Sequence, residues 1–98
     1  MEICLQEAVS RLDTCDLIYI SFDVDSMDCD LISKGTGTPV SKGFDQNEIE
    51  DIIKAFVATS KVVSFEVVEV NPTLDNKGNV MAETAFDVLK ATTEAVAP

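Results

Sequence analysis

Leu17-Ile18-Tyr19-Ile20-Ser21-Phe22 is a nearly unbroken apolar run, rich in β-branched and aromatic residues, that stops at Asp23. Such a run suits a strand covered on both faces, as in a parallel sheet. A second run, Val62-Val63-Ser64-Phe65-Glu66-Val67-Val68-Glu69-Val70, closes at Asn71-Pro72, where proline cannot continue the ladder. Between the two, Asp45 with Glu48 three positions on starts a helix whose Ile49, Ile52, Ile53, Phe56 and Val57 form one apolar face. Ahead of the first run, Leu5, Ala8, Val9 and Leu12 fall at helical spacing until the polar stretch Asp13 to Asp16 interrupts them. Beyond the second, a polar turn from Leu74 to Asn79 around Gly78 leads to a final helix marked by Ala82, Ala85, Phe86 and Leu89, fraying toward Ala97-Pro98.

Strand, loop, helix, strand, loop, helix is the order of a right-handed parallel crossover. Two parallel strands alone leave open edges and uncovered apolar surface, so the chain reads as α/β and as cut from a larger sheet. Its 98 residues make one small domain, and a domain of that size buries only roughly 60–65 % of its unfolded surface, too little for a large catalytic cleft. Apolar residues make up 46 % and fall in segments, which excludes disorder. Seven basic against eighteen acidic residues give a net charge of -11, which repels a phosphate backbone and argues against nucleic acid. Cys4, Cys15 and Cys29 are widely spaced and no histidine is present, so a zinc site is not expected and reduced thiols in the cytoplasm fit. No stretch approaches about 18 continuous apolar residues, so nothing is expected to span a membrane.

From Asp23 to Phe44 the chain is rich in Asp, Ser, Gly and Thr and reads as one long loop, of a length that is usually functional or disordered. Open α/β sheets bind ligands outside the carboxyl ends of their strands, where Asp23, Asp25 and Glu69 fall. Asp23 and Asp25 are two apart; on extended backbone both leave the same face, and two carboxylates that close repel unless a cation or a proton intervenes, a demand that a divalent ion meets for both. Turn formation or helix capping is the competing role for an Asp after a strand. An EF-hand is excluded, because Asp28 stands where that loop needs glycine; Asp28 and Asp30 are left to solvate the loop. Glu66 is either a water-facing edge residue or part of a site. Glu69, at the ligand end of the sheet, is the stronger candidate, since a carboxylate there could pair with a cationic substrate, to which a guanidinium offers bidentate geometry. Gly35-Thr36-Gly37-Thr38-Pro39 lacks the ending of a P-loop, so its two glycines are expected to serve a tight turn, with Thr38 left to line a site.

Ser21-Phe22-Asp23-Val24-Asp25, Gly35-Thr36-Gly37-Thr38-Pro39 and Glu66-Val67-Val68-Glu69-Val70-Asn71-Pro72 together resemble the ureohydrolases, the arginase, agmatinase and formimidoylglutamase family, in that family's order. The Glu-Val-Asn-Pro form looks more like arginase than agmatinase. The resemblance implies a three-layer αβα fold with a parallel sheet and two manganese ions at its carboxyl edge. It makes Asp23 and Asp25 metal ligands and turns Glu69 toward the guanidino substrate; the pair of metals would activate water to release urea and, from arginine, ornithine. The family's other ligands are histidines and aspartates on earlier strands, and this chain has no histidine. Cys29 stands where the family commonly has proline, which alters the loop path but not the ligands. Residues 1–98 are therefore expected to form a single C-terminal fragment of an arginase-like domain, inactive and weakly metal-binding alone, pairing through its open sheet edge or as a homo-oligomer.

Two rival readings follow from the same residues. A haloacid-dehalogenase-like phosphatase would use Asp23 and Asp25 as nucleophile and general acid with magnesium; Met27 stands where that family expects Thr or Val, and its later acidic pair is missing. A non-catalytic α/β piece would instead dock onto another chain through its sheet edge and apolar helix faces.

Overall fold

The computed structural model describes residues 2–96. Along the chain run α1 (Glu2–Arg11), β1 (Ile18–Asp23), a 3-10 turn (Val24–Ser26), α2 (Gln46–Val57), β2 (Val62–Val68), a second 3-10 turn (Pro72–Leu74) and α3 (Val80–Val96). Ala97 and Pro98, where fraying is expected, lie outside the described residues. Asp45 starts α2 as the sequence predicts: its carboxylate accepts the Glu48 N–H at 2.8 Å, and the Glu48 carboxylate accepts the Asp45 N–H at 3.1 Å. That reciprocal pair satisfies two donors that the first helical turn leaves orphaned.

β1 and β2 pair in parallel, with Ile20 opposite Phe65, Phe22 opposite Val67 and Asp23 opposite Val68. Ile20, Phe22, Phe65 and Val67 pack against Ile49 and Ile53 of α2 and Met81, Ala85 and Val88 of α3. Both helices thus cover the same face, and the expectation of a first strand buried on both faces is not met. On the other face Tyr19 is 57 % exposed, and Ser21, Ser64 and Glu66 are open to solvent. The reason is topological, since a single crossover brings its helix, and the helix after β2, to one side only.

Two further expectations change. The stretch from Asp23 to Phe44 is not structureless: bridges join Met27 to Phe44, Asp28 to Val40 and Thr36 to Val70. Val24, Met27 and Ile32 from that stretch lie in the core, so apolar burial supports the loop. β2 ends at Val68, two residues before the apolar pattern does, because Glu69 adopts φ 71°. That left-handed conformation breaks the pleat and hands Val70 to the bridge with Thr36.

Candidate functional site

Asp23 is the last residue of β1 and caps the 3-10 turn that follows, its Oδ1 accepting the Asp25 N–H at 2.8 Å. The Ser26 hydroxyl donates to the Asp23 carbonyl at 2.7 Å and tightens the same turn. Asp25 therefore lies in a helical turn rather than on extended backbone, and strand alternation is not what places its side chain. Its placement comes from the loop: the Thr36 hydroxyl donates to one oxygen of the Asp25 carboxylate and the Thr38 hydroxyl to the other. Burial pushes the Asp25 carboxyl up, but the two hydroxyls and the Thr38 backbone outweigh it and leave the carboxyl below its ordinary value. An ionised, oriented carboxylate is the result.

Thr38 is thus engaged with Asp25, while the buried Thr36 beside it plays an equal part that sequence spacing gave no reason to single out. Glu69 is exposed and stands one residue past Val68, the partner of Asp23, which puts it at the carboxyl rim. Its positive φ is costly for a residue with a side chain and persists only where the surroundings impose it. Here the flanking backbone does so through the Val70 bridge to Thr36 and an Asn71 N–H donated to the Gly35 carbonyl at 2.7 Å. Glu66 points to solvent and accepts the Ser21 hydroxyl at 2.7 Å. The nearby Tyr19 phenol, then the Ser21 hydroxyl, hold the Glu66 carboxyl low, and Glu66 in turn raises the Tyr19 phenol. Asp28 accepts the Asp30 N–H at 2.9 Å, a local turn bond.

The glycines of the loop differ from expectation. Neither Gly35 nor Gly37 has a positive φ, so neither serves a turn that demands glycine. Gly35 serves close approach, because a Cβ there would lie 2.7 Å from both the Asp75 Oδ2 and the Met81 Cβ, whereas one at Gly37 would meet nothing within 4 Å. Asp75, absent from any motif, sits half-buried beneath Gly35.

Two carboxylates are hard oxygen donors of the kind manganese accepts. They fit such an ion as part of a shell, since no group of three or more potential His, Cys, Asp or Glu ligands comes together among the described residues. A groove of about 510 Å³ opens beside Asp23, between β1 and α2, lined by Ser21, Asp23, Ile49 and Phe56 among others. A second, of about 280 Å³, follows β2 along Val62, Phe65, Leu89 and Val96.

A parallel βαβ unit with carboxylates at its carboxyl rim defines the α/β class, whose open sheets take their ligands at the strand ends. The Arginase family model matches residues 1–93, and the chain belongs to the arginase family. It is 41 % identical over 71 residues to the arginase of Plasmodium berghei, covering 70 % of this chain and 20 % of that protein. It is 32 % identical over 87 residues to the arginase of Bacillus subtilis, covering 89 % and 29 %. The crystal structure of Helicobacter pylori arginase superimposes with a TM-score of 0.86 at 25 % identity, over 98 % of this chain and 33 % of that one. The proclavaminate amidino hydrolase of Streptomyces clavuligerus does so with 0.78 at 26 %, over 97 % and 32 %. The chain accordingly spans about a third or less of these relatives. The resemblance seen in the three sequence blocks and the arginase-like α/β fold both stand, which leaves the phosphatase reading without support. Among the described residues no helix is long and apolar enough to cross a membrane.

Proposed function

We propose that this chain provides the C-terminal part of a manganese-dependent ureohydrolase, residues 1–98 forming one piece of the domain, with arginine as substrate and ornithine and urea as products. The observation that carries the reading is the Asp25 carboxylate, held by two hydroxyls at the rim of a sheet whose family is arginase. Asp23 and Asp25 would hold the metal, which when bound activates water for attack on a guanidinium carbon. Thr36 and Thr38 keep Asp25 ionised and fix its orientation. Thr38, exposed beside it, would line the substrate space, and Glu69 would supply the charge that pairs with a guanidinium. Two carboxylates cannot complete a manganese shell, so the remaining ligands belong to another segment of polypeptide, and the open edges of β1 and β2 are where that segment, or a second copy, would pair. A cytoplasmic setting fits three free cysteines.

Urea release from arginine with added manganese tests this directly. The isolated chain should show negligible turnover, and robust turnover refutes the partial-site reading. Calorimetry should find weak manganese binding that Asp23→Ala abolishes; tight binding indifferent to that substitution refutes the ligand assignment.

A further inference from the structure

We propose that Asp75 is a positioning residue for Asp25, clamping the loop that carries Thr36 and Thr38 to the N-terminus of α3. The inference rests on the reading of Asp25 as a metal ligand, and it extends that reading to residues that touch neither metal nor substrate.

The Asp75 carboxylate works in two directions. Toward the helix, its Oδ2 accepts the Met81 N–H at 2.9 Å and its Oδ1 the Lys77 N–H at 2.8 Å, so it satisfies a donor that the first turn of α3 leaves orphaned. Toward the loop, the same Oδ2 accepts the hydroxyl of Ser33 at 2.8 Å, across 42 residues of sequence. Ser33 is fully buried, so its hydroxyl has no water to turn to in place of Asp75. The following residues are fastened to the same strip of chain in turn. Lys34 donates its N–H to the Asn76 side chain at 2.8 Å, Gly35 accepts from the Asn71 N–H at 2.7 Å, and Thr36 bridges Val70. The missing Cβ at Gly35 is what lets the Asp75 carboxylate approach.

Thr36 is the next residue in that series, and its hydroxyl reaches the Asp25 carboxylate. A hydroxyl that donates to a carboxylate must be held within about 0.5 Å of its working place to fix a single rotamer. Asp75 and Ser33 supply that constraint from the α3 side. A ligand carboxylate free to swing would meet the metal in several orientations and bind it less well.

The test is the carboxyl carbon of Asp25 observed by NMR at neutral pH without metal. Thr36→Val removes one donated hydroxyl directly and sets the scale of the shift. Ser33→Ala cuts the loop side of the clamp and leaves the Asp75 contacts to Met81 and Lys77 in place. It should displace the Asp25 carboxyl carbon in the direction of Thr36→Val and broaden the Thr36 and Thr38 amides, while the amides of α3 beyond its first turn stay put. Asp75→Asn should do the same; if that variant does not fold, Ser33→Ala decides alone. A folded Ser33→Ala whose Asp25 carbon is unmoved overturns the proposal. Manganese alone, titrated into the unaltered chain, tests the ligand reading separately. Selective broadening of the Asp25 carbon, needing severalfold more manganese in Ser33→Ala, supports both; no broadening overturns the ligand reading and with it the purpose of the clamp, whatever the shifts show.

Discussion

Replacing Gly35 and Gly37 by alanine, one at a time, sets two physical accounts of the same motif against each other. A methyl at position 35 would stand 2.7 Å from the Met81 Cβ and 2.7 Å from the Asp75 Oδ2. Carbon pairs in proteins rest at about 3.5–4.0 Å, so the first contact overlaps by roughly 1 Å. Neither neighbour can step aside cheaply. Met81 is completely buried and its Cβ is fixed by the backbone of α3, while Asp75 is tied by three hydrogen bonds. Overpacking of this kind costs about 2 kcal/mol within a usual range of roughly 1–3. For a domain of this size that lowers the thermal midpoint by roughly 8–16 °C. At position 37 the new methyl meets open space and φ is not positive. The loss of unfolded-chain freedom then dominates and stabilises by about 0.4–1 kcal/mol. Urea unfolding followed by circular dichroism reads both, with unchanged m-values showing that only stability moved. Equal effects at the two positions, or a Gly35→Ala chain as stable as the original, would refute the close-approach argument.

Glu69→Gly relieves a left-handed backbone and should raise stability by about 1 kcal/mol, read from urea midpoints, although it removes the candidate guanidinium partner; an unchanged or lowered midpoint counts against imposed strain. Asp45→Ala breaks the capping box of α2 and should cost about 1 kcal/mol, which thermal unfolding would detect and whose absence would show the cap to be redundant. Burial raises the Asp75 carboxyl, but the Met81 and Lys77 N–H groups, the Ser33 hydroxyl and the Lys77 charge more than reverse this, so its folded-state value lies below that of the unfolded chain. Its contribution to stability is therefore present above the ordinary aspartate range and is lost as pH falls through that range toward the lower folded value. Stability measured against pH should flatten on the acid side in Asp75→Asn, and an unaltered acid limb would remove Asp75 from the account.

Periodicity and capping chemistry are local, and what they encode was legible in the residues. The apolar runs located β1 and β2, Asp45 and Glu48 located the start of α2, and the place of Asp23, Asp25 and Glu69 at strand ends followed from chain order. The early end of β2 was not legible, because the apolar pattern continues through Val70 and only the bridge to Thr36 makes Glu69 turn. Nor was one-sided burial of the sheet, since an apolar run records that a strand can be covered and not which helices reach it.

The sequence by itself determined the elements, their order and the family blocks, because those depend on neighbours within a few residues. Tertiary structure decided what holds Asp25 and why Gly35 must lack a side chain. Thr36 and Asp25 are separated by 11 residues, and Ser33 and Asp75 by 42. Contacts at such separations are made when the loop folds back on itself and onto the segment that leads into α3, through distances that no spacing in the chain records.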